Sequence, residues 1–169
     1  AVKQRGIQVE ILIDQMFGEQ DPKMVAFLAS FDPNFRIKFY NPTFNQLSPS
    51  TIEKLAGLAY DFHAFNVRHH NKLFIVDDQL VITGGRNYAN RYFDRAIGLN
   101  YKDRDVLVIT PESEPALNSF REYWESALSV SARDLEDIRE LIEDQGFPSL
   151  LTKENFRLNH LFGELSEKA

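Results

Sequence analysis

The stretch RHHNKLFIVDDQLVITGGRN, from Arg68 to Asn87, decides the fold of this chain. Leu73 to Val76 is a continuous apolar run rich in branched residues, and Leu80 to Thr83 is another. Runs of this kind read as strands buried on both faces. The short polar connection between them predicts a β-hairpin, with Asp78-Gln79 as a two-residue turn. Side chains two apart on a strand point to the same side, so His70 and Lys72 are expected to share a face, roughly 7 Å apart at Cα. In that register Gly85 lies opposite Lys72 and Asn87 opposite His70. Asp-Gln is not a preferred two-residue turn, which leaves a slip of one position open. Either way, imidazole, ammonium, glycine backbone and carboxamide gather at one end of the hairpin. Asp77 goes the other way, about 23 Å along an extended strand from His70. Its expected place is therefore a supporting one at the turn.

A histidine and a lysine held together suit chemistry at phosphorus. An imidazole that attacks phosphorus needs one nitrogen unprotonated and the other donating to an acceptor, usually a carboxylate. Asp103 and Asp105 lead into Val106 to Ile109, a further predicted buried strand, so a carboxylate entering that strand can sit beside the hairpin's active end. Gly84-Gly85 would allow close backbone approach to a phosphoryl oxygen, although glycine at a strand end also marks bulges. His63, His69 and His160 read as packed or solvated histidines; at His69 the residue two positions on is Asn71, which cannot neutralise phosphate. Arg86 reads as a surface or ion-pairing residue, and Tyr88, Tyr92 and Phe93 as wall or core aromatics. No residues have metal-ligand spacing, and neither a metal nor another cofactor is expected.

Strands alternate with helices along the rest of the chain. Ile7 to Ile13 reads as a strand. Asp21 caps a helix with Pro22 in its first turn and Met24, Val25, Leu28 and Phe31 at helical spacing, stopped by Asp32-Pro33-Asn34. Arg36 to Tyr40 is a second strand with Ile37 and Phe39 inward, and Asn41 to Pro49 is a loop. Ser50 and Glu53 form a capping box before the stripe Ile52, Leu55, Ala59 and Phe62. Thr110-Pro111 opens a helix carrying Leu117, Phe120, Trp124 and Leu128 on one face. A strongly acidic helix runs from about Arg133 to Gln145, closed by Gly146, and the tail from Phe147 to Ala169 has weak periodicity. This order predicts an α/β fold, a mixed β-sheet flanked by helices.

With 169 residues, 43% hydrophobic and 26% charged, the chain is long enough to bury a real core. The 14 phenylalanines point to aromatic-rich packing, and the absence of cysteine removes disulfide and thiolate chemistry. No apolar stretch approaches the roughly 20 residues that span a bilayer. The net charge of −6 argues against nucleic acid as a partner. Charge is uneven, however: acid concentrates in Asp134 to Asp144, while Arg86, Arg91, Arg95, Lys102 and Arg104 cluster after the hairpin.

The pattern His70-x-Lys72-x-x-x-x-Asp77, followed by Gly84-Gly85-x-Asn87 and then an acid, resembles the signature of the phospholipase D superfamily. The likeness covers roughly residues 1 to 130, including the strand ending at Asp14, the Asn-Pro after Tyr40, Tyr92-Phe93 and the Phe120-x-x-Tyr-Trp helix. It is most similar to bacterial cardiolipin-synthase-type and related phospholipase D-like proteins. The resemblance implies an α/β/α sandwich and a phosphodiesterase or phosphatidyltransferase acting on phospholipids through a phosphohistidine. It implies His70 as the nucleophile or acid, with Asp105 orienting it and Asp103 as second choice. Lys72, Asn87 and Gly85 would hold the phosphate oxygens, and Asp77 and Gly84 would support the motif.

Most such enzymes carry two copies of the motif in facing lobes, and this chain has one. Residues 1 to 130 are then the catalytic lobe, and residues 131 to 169 an acidic helix and tail linking toward an absent second lobe. The family domain usually opens with an extra strand and helix; Ala1 to Gly6 reads as the last turn of that helix, so the chain is expected to be truncated at its N-terminus. One histidine cannot easily both attack phosphorus and protonate the leaving oxygen on the opposite side. The expected partner is therefore a second lobe in cis or a two-fold-related copy of this chain. The expected location is bacterial, cytoplasmic or peripherally on a membrane surface, with exposed aromatics such as Phe44 or Phe65 as candidates for dipping into lipid. Two other readings stand beside this one: a homodimeric nuclease-type phosphodiesterase, and a non-catalytic lobe that binds phosphate or lipid.

Overall fold

A computed structural model of the chain describes residues 5–15, 21–42, 45–50, 52, 68–111 and 113–145. The described residues hold six strands and three α-helices, in the order β1 (Val9–Asp14), α1 (Pro22–Phe31), β2 (Phe35–Tyr40), β3 (Leu73–Val76), β4 (Leu80–Gly84), β5 (Asp105–Ile109), α2 (Glu114–Trp124), β6 (Ser129–Ser131) and α3 (Glu136–Gln145). The class is α/β, as the alternation predicts. Apart from Ile52, which is 79% exposed, the expected helix after Ser50 lies outside the described residues, as do the closing Gly146, the tail from Phe147, and Phe44, Phe65, His63 and His160.

The strands form two three-stranded sheets rather than the single expected one. In the first, β1 runs parallel to β2, which pairs antiparallel with β6. In the second, β3, β4 and β5 are antiparallel. The ladder of β3 stops at Leu73, so His69 to Lys72 leave the hairpin and cross toward β1, where Asp14 Oδ2 accepts from His69 N at 2.8 Å. A side chain thus bridges the two sheets.

The core lies on one face of the first sheet. Ile37 and Phe39 of β2 point into a cluster with Val25, Ala26, Phe27 and Ala29 of α1 and with Leu47, Ala132, Leu135 and Ile138. The alternate residues Arg36 and Lys38 face the other way, where both cations lie over the Trp124 ring at the end of α2. Helices therefore cover both sides of β2. α1 starts as its sequence predicts, with Asp21 accepting from Lys23 N and Met24 N. The acidic helix α3 buries Ile138 fully and uses Asp137 to accept from Leu47 N and Ser48 N. The packed core thus continues past residue 130, through α3.

The hairpin differs from expectation in two ways. Its left-handed residues are Asp77 (φ 49°) and Asp78 (φ 54°), with Gln79 N donating to Val76 O at 3.1 Å. Aspartate tolerates this conformation, and two such residues in succession match strand twist better than Asp78-Gln79 would. Gln79 becomes an extra residue, Val76 pairs with Leu80 and Leu73 with Thr83, and the register shifts by one. Secondly, the strands are not buried on both faces. Phe74, Val76 and Val106 to Ile109 are all exposed, Ile109 by 76%. Among the described residues no layer covers that side of the sheet, and β5 is its edge.

Candidate active site

The hairpin's open end holds the two motif side chains together. Lys72 Nζ is 2.9 Å from His70 Nδ1 and donates to the His70 carbonyl at 2.7 Å. The expected common side is therefore present, although neither residue belongs to the ladder. Local geometry suffices: two extended residues place alternate side chains alike, and the long lysine stem curls back over its neighbour. They line an open cleft of about 300 Å³ with Asn71, Leu73, Thr83, Gly84, Ala116 and Ser119.

The electrostatics of the cleft follow from burial. Desolvation pushes the Lys72 ammonium below its ordinary range, and the nearby Asp103 carboxylate opposes that shift. A lysine that donates to Nδ1 leaves the proton of a neutral imidazole on Nε2. Lys72 thus selects the tautomer of His70 as well as supplying positive charge.

The other expected residues lie in distinct places. Asp105 Oδ2 is 3.3 Å from Arg86 Nε, and Arg86 also donates to the Asp103 carbonyl at 2.8 Å. The Nε contact is misaligned for a hydrogen bond, so its attraction is Coulombic. Asp103, the second choice as histidine partner, is the acid that acts on Lys72. Asn87 is not opposite His70; its Nδ2 donates to Tyr92 Oη at 2.9 Å. β4 ends at Gly84 and the ladder at Leu73, so the strand that would have carried it across is a loop.

The glycine pair has a clear steric reason. A Cβ on Gly84 would collide with the Asp105 carboxylate and with the Arg104 carbonyl at 2.5 Å. One on Gly85 would come within 2.5 to 2.8 Å of the Asp103 carboxylate. Here the close approach that needs glycine is made by the two acids entering β5. Asp77 sits at the far end of β3, in the turn.

Sequence reasoning missed the support beneath the pair. Asp14, with a side chain only 4% exposed, accepts from His69 N and lies 3.7 Å from the Arg68 guanidinium, whose side chain is 9% exposed. Arg68 in turn donates to the Asn41 carbonyl at 3.0 Å. His69 packs its ring edge-on against Tyr123 at 4.2 Å, with Tyr40 at 6.0 Å. Burial lowers the His69 pKa from its ordinary 6.5, against the pull of Asp14. The available signal was a carboxylate closing an apolar strand, since ligand sites in α/β sheets gather at the carboxyl ends of strands.

Comparison with known proteins shows the family. Residues 1–128 match the family described as "Cardiolipin synthase, PLD-like domain". Two Helicobacter pylori relatives described as uncharacterized proteins are each 35% identical over 126 residues, which is 75% of this chain and 24% of theirs. Cardiolipin synthase C of Escherichia coli is 32% identical over 127 residues, 73% of this chain and 25% of that protein. The chain thus spans about a quarter of the length of the curated relatives it matches. No solved structure matches it. The match across residues 1–128, over a fold that sets His70 and Lys72 side by side, makes the chain a member of the cardiolipin-synthase, phospholipase D-like domain family.

Proposed function

We propose that this chain is a catalytic lobe that breaks and remakes phosphodiester bonds of phospholipids, as a phospholipase D or phosphatidyltransferase, paired with a second lobe of the same kind. The observation that carries this reading is the His70–Lys72 pair at the mouth of an open cleft. Membership of a family described by cardiolipin synthase supports the substrate class.

In the proposed reaction an imidazole nitrogen attacks the phosphatidyl phosphorus and the phosphorus–oxygen bond to the departing alcohol breaks. A histidine opposite gives its proton to that alkoxide. Water or a lipid hydroxyl then attacks the phosphohistidine, its proton returning to the same acid, and the first histidine is released. The Lys72 contact leaves Nδ1 of a neutral His70 without a proton; the histidine that serves as the acid is the imidazolium, which gives one proton to the leaving oxygen and becomes neutral. When Lys72 turns to an incoming phosphate oxygen it releases Nδ1 and adds charge stabilisation worth a few kcal/mol. Asp103 would keep Lys72 charged, and Asp105, through Arg86, would shape the strand end beside it.

The test uses the full reading frame that contains this chain, with phosphatidylglycerol labelled at phosphorus. An acid-labile, alkali-stable label is expected on the protein, and His70→Ala should lower turnover by at least about a thousandfold, the scale of losing one essential catalytic group. Near-normal turnover in that variant would reject the assignment of His70.

A further inference from the structure

The segment between β4 and β5, residues 85–104, is built to display apolar side chains rather than to hide them. Ile97 is 107% exposed, Leu99 73% and Tyr88 70%. These side chains do not stand on slack chain. Asn100 clamps the tip: its Oδ1 accepts from Ala96 N at 3.2 Å and its Nδ2 donates to Ala96 O at 3.1 Å. Gly98 turns the apex at φ 107°, a value that side-chain-bearing residues rarely adopt. Lower down, Tyr101 N donates to Arg91 O at 2.7 Å, the Tyr92 and Tyr101 rings lie 5.2 Å apart, and Lys102 is salt-bridged to Asp94. Tyr88 and Phe93 stack at 6.5 Å. Order of this kind around outward-facing isoleucine and leucine costs exposed apolar area that a second surface would recover.

The charge of the segment names that surface. Residues 86–104 hold five basic and two acidic side chains, a local +3 in a chain whose net charge is −6. Arg91 and Arg95 are exposed and flank the apolar tip. A rigid tip of isoleucine, leucine and aromatic rings among arginines has the make-up of an interfacial anchor for an anionic bilayer, apolar groups entering the acyl boundary and guanidinium groups meeting phosphates.

The segment is also rooted in the site. It leaves β4 at Gly85 and returns through Asp103, whose carboxylate lies against Gly85 and acts on Lys72. We infer that the 86–101 loop, with Ile97 and Leu99 at its tip and Arg91 and Arg95 beside them, docks this lobe on an anionic phospholipid surface and so brings the His70–Lys72 cleft to its substrate. The inference rests on the phospholipid reading of that cleft, and binding can be measured apart from turnover.

The test is co-sedimentation of the full chain with vesicles of phosphatidylcholine alone and of phosphatidylcholine mixed with phosphatidylglycerol. Binding is expected to the mixed vesicles and to fall with added salt. The double variant Ile97→Asp/Leu99→Asp should lose it by at least about tenfold, with unchanged thermal unfolding because both side chains are exposed. Arg91→Glu/Arg95→Glu should weaken binding to the mixed vesicles only. His70→Ala should bind as the unaltered chain does; if the label on His70 fails while vesicle binding holds, the catalytic reading falls and the docking stands. As a second readout, Ile97→Trp should shift its emission to the blue on mixed vesicles, since native Trp124 is already buried. No binding to mixed vesicles, binding unaffected by Ile97→Asp/Leu99→Asp, or self-association through the tip without lipid binding overturns the inference.

Discussion

Asp14 ties β1 to the segment that carries the histidine pair, fifty-five residues further along the chain. Its carboxylate and the Arg68 guanidinium are both enclosed, so removing the carboxylate charge takes an ion-pair contact away from a guanidinium in a poorly solvated place. Asp14→Asn keeps the acceptor for His69 N but removes the charge; a loss of about 3 kcal/mol is expected in urea unfolding, and a change near zero would refute the anchoring role. His69 provides a pH signature. Burial lowers its pKa below 6.5, so the unfolded chain binds more protons than the folded one between the folded value and 6.5. Stability from this group is complete above 6.5 and drains away as the pH falls through the folded value. Urea midpoints should decline on acidification across that window, and the decline should be shallower in His69→Gln. The His70–Lys72 pairing was legible at this scale because a spacing of two on an extended segment is enough to decide it. Asp14 was not, because its partner is remote in sequence and only the folded chain brings them together.

At the level of elements, the junction of β4 and β5 depends on the absence of two side chains. A Cβ on Gly84 would meet backbone atoms as well as the Asp105 carboxylate, including the Arg104 carbonyl, whereas the nearest atoms to one on Gly85 belong to the Asp103 carboxylate, which can turn aside. Gly84→Ala should therefore cost about 2 kcal/mol and Gly85→Ala about 1 kcal/mol or less. Thermal unfolding of both measures the contrast, and an equal loss would show that the backbone contact is relaxed. The strands of the hairpin were readable from their branched apolar runs, and α1 from Asp21 and Pro22. The register was not, because Asp77 and Asp78 both accept left-handed backbone, and moving the turn by one residue shifts every opposite pair. The ladder also ends at Leu73 and β4 at Gly84, so His70 and Asn87 both lie beyond it, and Asn87 bonds to Tyr92. Burial was also misread: Val106 to Ile109 look like an interior strand, yet hydrophobicity records what a strand can bury rather than what covers it.

For the whole molecule, the sequence pattern carried the α/β class, and the two-sided covering that the family resemblance implies is met at β2, while one side of the second sheet has no covering layer among the described residues. Two things escaped it. The antiparallel strands form a separate sheet, because His69 to Lys72 break the ladder to reach Asp14. The acidic helix belongs to the core through Leu135 and Ile138, since a helix whose outer face is charged can still present a narrow apolar stripe inward. The charge division, basic over residues 86–104 and acidic over the remainder, is the polarity that the proposed docking on an anionic surface would use.

The uncovered margin of β5 carries a different consequence. Among the described residues its Val-Leu-Val-Ile run ends a sheet, with no neighbouring strand on its outer side. Two copies brought close at high concentration can each lengthen the other's ladder, and such joining uses amide contacts rather than charge. Salt should therefore sort the two kinds of assembly: it detaches lipid-bound chain, while oligomers stitched edge to edge persist.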